Sequence, residues 1–311
     1  MKLIRRNLDH IRFLSVLFFS GLVLYAIWID FDNLPKIETV NRNNLIWSLL
    51  CYLAYLSIVS YRTLIMLNEL NEKDIKYIDW FMLNIKGRFI NKIIPQGGNV
   101  YKGVTLKKLE NVSYKKYISY LGIFSWVDII TNFLICLILL LLLDQNLNLA
   151  GHRATTVIFL LLLVISISPL IFKKIIRGVE PKSRIFKNLK IITSDNIINS
   201  FEKLTVVGLS KVIILGAISI LITVGLYYFI FSFLDLYPDF SILSLYVCFM
   251  RISTIVQLTP GNIGLQELML GALTELTGGT LLVGITVSLI IRILTYITLG
   301  ALTLIFKFQS S

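Results

Sequence analysis

The chain has 311 residues, 56% of them hydrophobic, and carries 30 Lys and Arg against 18 Asp and Glu, a net charge of +12. An apolar share above the roughly 45–50% of a globular domain excludes an ordinary soluble fold. The apolar residues gather into runs of about 20, the length that crosses a hydrocarbon core about 30 Å thick, so the chain reads as an integral membrane protein. The basic excess does not point to nucleic acid, because its placement along the chain follows the membrane.

Taken in order, the apolar runs predict spans at Ile11–Phe31, Leu45–Met66, Tyr117–Leu143, Ala154–Phe172, Val212–Leu234 and Leu281–Phe306. The first is longer than a signal-peptide core and lacks a small-residue cleavage site, so it is expected to stay as an anchor. Lys2, Arg5 and Arg6 precede it, and further basic blocks lie between Arg62 and Lys116 and between Lys173 and Lys211. The intervening segments Asp30–Asn44, Asp144–Arg153 and Asp235–Asp239 are poor in Lys and Arg. This alternation predicts a multi-pass protein of the plasma (inner) membrane with a cytoplasmic N-terminus. Trp28, Trp47 and Tyr237, near span ends, read as interfacial anchors, and Arg62, near the cytoplasmic end of its span, as a side chain that snorkels to the interface.

Two further segments are only half apolar. In Trp80–Pro95, Phe81, Ile85, Phe89 and Ile93 recur at helical spacing while Asn84, Arg88 and Asn91 share another face. In Ile242–Thr277 the apolar pattern is broken by Pro260-Gly261-Asn262-Ile263-Gly264, with Arg251 before the break and Glu267 after it. Hydrocarbon tolerates irregular backbone only where protein or a polar cavity covers it, so this break is a candidate working site. Each segment pairs an Arg with a Pro and glycines, Arg88 with Pro95-Gln96-Gly97-Gly98 in the first. Two interrupted segments entering from opposite faces are the pattern of an inverted repeat, with candidate halves at 1–150 and 151–311. The expected fold is therefore all-α: a polytopic helical bundle forming a single membrane domain, with six full spans and two Pro/Gly-broken re-entrant or half-length hairpins.

Charge at membrane depth costs at least about 2.5–3.5 kcal/mol per group and is rarely idle. Arg251 and Arg292 are the leading candidates to hold a phosphate, which an arginine fork grips bidentately. Ser288, Thr295 and Tyr296 share the Arg292 face; the alternative is that Arg292 pairs with an internal acid such as Glu267 or Asp128. Glu267 reads either as a cap on the helix after the break, whose N-terminus favours a carboxylate, or as a proton- or cation-coupling group. Asp128, on a face with Ser125, Thr131 and Asn132, reads as a structural partner or a site residue. Arg88 and Lys102 are placed to meet lipid phosphates, whereas Lys92 reads as a surface residue and Glu38, Glu69 and Glu72 as solvated charge.

Enzyme signatures are sparse. His10 and His152 are the only histidines and lie far apart in sequence, so neither a metal site nor a catalytic triad is expected from them. Cys51, Cys136 and Cys248 lack paired spacing and read as lipid-facing or packing residues. No Walker-type loop is present, and no cofactor is expected.

With these residues in view, the chain resembles the flippase-like family, also called the lysylphosphatidylglycerol synthase transmembrane region, which includes the membrane half of multiple peptide resistance factor. Pro260, Gly261, Gly264 and Glu267 match a Pro-Gly-Gly-x-Gly-x-x-Glu motif with Asn262 in place of a glycine, and Arg292 matches an arginine of the last span, followed by Gly300. The first-half motif is altered: in Pro95 to Lys102, Asn99 stands for the acid and Lys102 for the arginine. In the third span the family's Glu-Arg pair is Phe124-Ser125, and only the Asp128 that follows is kept. The resemblance implies a lipid flippase or lipid-headgroup transporter, without aminoacyl transfer, that binds membrane lipids, anionic or polyprenyl-linked, at a midplane site. Arg88, Lys102, Asp128, Arg251, Pro260, Gly261, Gly264, Glu267 and Arg292 are the expected substrate-binding set. The alternative is a non-transporting subunit that presents a lipid-linked substrate to a lipid-modifying or glycosyltransferase partner, docked through the basic Lys173–Lys190 cluster.

Overall fold

The computed structural model describes Gly21, Val23 and Tyr25 and residues 41–70, 74–109, 112–143, 147–149, 152–178, 205–255 and 259–308. In chain order the helices are α1 (Arg42–Leu70), α2 (Tyr77–Ile93), α3 (Gly97–Leu109), α4 (Tyr114–Leu142), α5 (Ala154–Gly178), α6 (Val206–Phe233), α7 (Phe240–Ile255), α8 (Leu265–Leu276) and α9 (Leu281–Phe308). A small antiparallel pair, β1 (Asn148–Leu149) and β2 (His152–Arg153), joins α4 to α5. Helices dominate because a chain in hydrocarbon must satisfy its backbone polar groups internally.

Among the described residues, four helices are long and apolar enough to cross a membrane: Arg42–Glu69, Lys116–Leu142, Val206–Phe233 and Leu281–Phe306. They answer four of the six expected spans. The run at Ala154 forms α5, a helix of 25 residues whose described side chains end at Ser166. The run Ile11–Phe31 lies outside the described residues except for Gly21, Val23 and Tyr25, as does most of the Lys173–Lys190 cluster.

The core sits where α1, α6, α7, α8 and α9 meet, around Leu56, Ile230, Leu243, Leu270 and Leu299. The outer faces carry exposed Ile46, Trp47, Leu160, Ile214, Ile293 and Leu304, the surface expected against lipid tails. Since lipid is as apolar as these side chains, helix association depends on close packing at small residues. A Cβ on Gly284 of α9 would lie 2.4 Å from the Leu270 carbonyl oxygen of α8. α1 and α6 make the most extensive helix pair, tied at the α6 start by Glu69. Its carboxylate accepts from the Thr205 amide at 3.1 Å and hydroxyl at 2.7 Å, while Thr205 Oγ1 accepts from the Gly208 amide at 3.0 Å. Glu69 is thus a helix-cap partner and not the solvated charge its position suggests.

The two half-apolar segments both form broken helix pairs. α2 turns into α3 through Ile94 to Gln96, with Gln96 in the left-handed region at φ 60°. The pair closes because Gly87 and Gly98 cross in direct backbone contact: a Cβ on Gly98 would lie 1.7 Å from the Gly87 carbonyl oxygen. α7 and α8 are separated by a 3-10 turn, Pro260–Asn262, in which Gly261 (φ 57°) and Asn262 (φ 54°) are left-handed, followed by Gly264 at φ 80°.

Candidate functional site

A cavity of about 690 Å³ lies inside the bundle, walled by α1, by both broken pairs and by α4, α6 and α9. Its α1 wall is Tyr52, Tyr55, Val59 and Thr63, at the three- and four-residue spacing of one helical face. Gln96, which is exposed, and Ile118, 41% exposed, mark where the lining reaches the surface. Five cationic side chains line it, Arg88, Lys92, Lys102, Arg251 and Arg292, against one carboxylate, Asp128.

The charges fall into three groups. In the first, Asp128 of α4 is held by two arginines. Arg62 of α1, with no exposed surface, pairs with Asp128 Oδ1, donates from Nε to the Val212 carbonyl at 2.7 Å and stacks over Phe124 at 4.9 Å. Gly216 of α6 makes the room, since a Cβ there would come within 2.8 Å of the guanidinium. Arg251 of α7 approaches Asp128 Oδ2 at 3.6 Å. It also reaches the Tyr55 hydroxyl at 3.5 Å and Thr223 Oγ1 at 3.4 Å. Arg62 therefore does not snorkel: a buried carboxylate holds it within the bundle, where an unpaired charge would be costly. The sequence signal was available in Ser60 and Thr63, its polar neighbours.

The second group locks the break. Arg292 Nε donates to Glu267 Oε1 at 2.5 Å, Nη1 to the Gly261 carbonyl at 2.9 Å and Nη2 to the Asn262 carbonyl at 3.1 Å. Glu267 Oε2 in turn accepts from the Gly264 amide at 2.7 Å. Both the acid-pairing alternative for Arg292 and the capping alternative for Glu267 are thus present in the geometry. Pro260 opens the 3-10 turn, while Gly261 and Gly264 supply positive φ angles that a side chain would strain.

The third group comes from the first broken pair. Arg88 of α2 lies over the Tyr55 ring at 5.5 Å, and its buried Nε has no hydrogen-bond partner. Arg251 lies over the same ring at 5.1 Å, so Tyr55 gathers the arginines of both broken segments. Lys102 of α3 donates to Asn84 Oδ1 at 3.3 Å, and Asn84 Nδ2 donates to Ser60 Oγ at 3.0 Å. Lys92 lies over the Tyr296 ring at 5.2 Å, and the Tyr296 hydroxyl donates to the Lys92 carbonyl at 3.1 Å. A Cβ on Gly261 would lie 3.0 Å from that same carbonyl oxygen, so the end of α2 and the second break are in contact. Lys92 is therefore a cavity residue, contrary to its reading as a surface lysine. Among the described residues, none of Arg88, Lys92 and Lys102 has a carboxylate within 4.0 Å.

The nine sequence-predicted positions thus converge on one cavity and its second-break wall, with Arg62, Lys92, Tyr55 and Asn84 added by the structure. Asn84 and Asn91 share the Arg88 face as the periodicity predicts, and Asn91 Oδ1 accepts from the Gly98 amide at 2.7 Å. Buried Cys136 and Cys248 pack in the interior, and His152 is exposed. No group of three or more His, Cys, Asp or Glu placed to hold a metal occurs among the described residues. The family described as the lysylphosphatidylglycerol synthase TM region matches residues 12–302. No curated protein and no solved structure matches the chain.

Proposed function

Since the chain belongs to the lysylphosphatidylglycerol synthase TM region family, we propose that it is a flippase or headgroup transporter for lipids with an anionic headgroup. The observation that carries this reading is the cluster of Arg88, Lys92 and Lys102, without a carboxylate partner among the described residues, on the wall of a 690 Å³ cavity among membrane-length helices. Translocation requires cationic donors that replace water around the headgroup while the acyl chains stay in hydrocarbon. A helix bundle has no reason to bear the desolvation of such cations unless an anion repays it.

We read α2–α3 as a half-membrane hairpin entering from the cytoplasm and α7–α8 as its counterpart from the other face, in inverted halves 1–150 and 151–311. The headgroup would bind where the hairpins meet, at Lys92 and Gly261. Asp128 and Glu267 would balance charge there, and the Arg292 lock would hold the second break in shape while the headgroup passes. In proteoliposomes, fluorescent anionic lipid should become accessible to an external quencher when the protein is present. Arg88→Gln and Arg251→Gln should each slow this about tenfold or more, as expected for losing a charge-assisted contact of about 1.5–3 kcal/mol, without changing membrane insertion. Transport that persists at the native rate in both variants would defeat the reading. Arginine-dependent binding without movement would favour a subunit that presents the lipid to a partner enzyme.

A further inference from the structure

The charge balance of the cavity says more about the headgroup than its sign. Resting on the transport reading above, we infer that the preferred headgroup carries more than one negative charge, as a phosphate monoester or diphosphate does. We further infer that a headgroup bearing a free ammonium is disfavoured. The two acids at the site are already engaged, Glu267 by Arg292 and Asp128 by both Arg62 and Arg251. Among the described residues Arg88, Lys92 and Lys102, all on the first broken pair, are left over on the cavity wall.

A phosphodiester brings one negative charge and would leave most of that excess in place. A phosphate monoester carries roughly −1.5 to −2 near neutral pH, and a diphosphate spreads its charge over more oxygens. Lysine and arginine have donors and no acceptors, so this wall matches phosphate oxygens, and the buried Arg88 Nε is one donor without a partner. An ammonium-bearing headgroup needs a carboxylate, a row of carbonyls or an open aromatic face, and the Tyr55 and Tyr296 rings already face Arg88, Arg251 and Lys92. The carbonyls of Gly261 and Asn262 are taken by Arg292, and no disengaged carboxylate lines the cavity among the described residues. The aminoacylated lipid in the family's name therefore does not fit this cavity well.

The test measures binding to the full chain in nanodiscs of zwitterionic lipid. The probes are farnesyl phosphate, farnesyl diphosphate, short-chain phosphatidylglycerol, short-chain lysyl-phosphatidylglycerol and inorganic diphosphate. The farnesyl phosphates should bind about tenfold or more tightly than phosphatidylglycerol, with the lysylated lipid weakest and inorganic diphosphate well below farnesyl diphosphate, a tenfold ratio being about 1.4 kcal/mol. Lys102→Gln and Arg88→Gln should bring the ratio of farnesyl diphosphate to phosphatidylglycerol close to one. Arg88→Lys, which keeps the charge, should preserve most of it and serves as the control for folding. Equal binding of monoester and diester, or tight binding of the lysylated lipid, overturns this inference and leaves anionic-lipid transport standing. Inorganic diphosphate as tight as farnesyl diphosphate would make this a site for soluble anions. Failure of every probe to bind overturns the transport reading as well.

Discussion

Asp128 is the residue on which the interior charge turns, because one carboxylate serves two arginines from different helices. The contacts are unequal: Arg62 is fully buried and also bound to the Val212 carbonyl, while Arg251 stands 3.6 Å from the carboxylate. Arg62→Met should therefore be strongly destabilising, by about 3–5 kcal/mol, the range for breaking a buried pair from one side. Arg62→Lys should recover only part of this, since an ammonium cannot reproduce the planar fork; thermal unfolding in detergent reads both. At the second break, Glu267→Gln keeps an acceptor for the Gly264 amide but removes the charge facing Arg292. It should therefore cost less stability than Glu267→Ala, and equal melting temperatures for the two would mean that the cap hydrogen bond contributes nothing.

At the level of elements, the α2–α3 pair closes on a direct backbone contact. The Gly87–Gly98 crossing has no room for a methyl group, since its carbon would lie 1.7 Å from a carbonyl oxygen. Gly98→Ala should force α2 and α3 apart and cost at least the 1–3 kcal/mol or so of overpacking. Because Lys102 follows on α3 beside Gly87, the same change should weaken anion binding as well, which distinguishes it from a purely stabilising contact elsewhere. Glu69→Ala, by contrast, removes a cap interaction of about 1 kcal/mol at the α1–α6 junction and should lower the melting temperature slightly while leaving anion binding unchanged.

For the whole molecule, the topology we propose from the basic segments has the α1 end, α3 and the α6 start on the cytoplasmic side, and the α6–α7 connection on the other. A cysteine introduced at Lys107 should be labelled by a membrane-impermeant reagent only from the cytoplasmic face, and one at Tyr237, 65% exposed, only from the opposite face. Both labelled from one side would break the proposed topology, and an exchange of the two sides would invert it. α2 meets the second break at Lys92 and Gly261, where a Cβ on the glycine would lie 3.0 Å from the Lys92 carbonyl oxygen. The headgroup route we propose would run past Tyr55, where the arginines of the two broken helix pairs share one aromatic face.

Composition and run length by themselves determined that the chain is a helical membrane protein, because hydrocarbon admits few other backbones, and the Pro-Gly punctuation located both breaks. The polar face of Asn84, Arg88 and Asn91 and the helical-face positions around Arg292 were equally legible, since helical periodicity acts within one segment. What only the tertiary structure decided is who neutralises whom. Arg62 reads as a side chain snorkelling to the interface and is a buried partner of Asp128; Lys92 reads as a surface residue and lies in the cavity; Glu69 reads as solvated and caps another helix. Ion pairing acts between atoms brought together from distant parts of the chain, 66 residues apart for Arg62 and Asp128, and no local pattern encodes that distance.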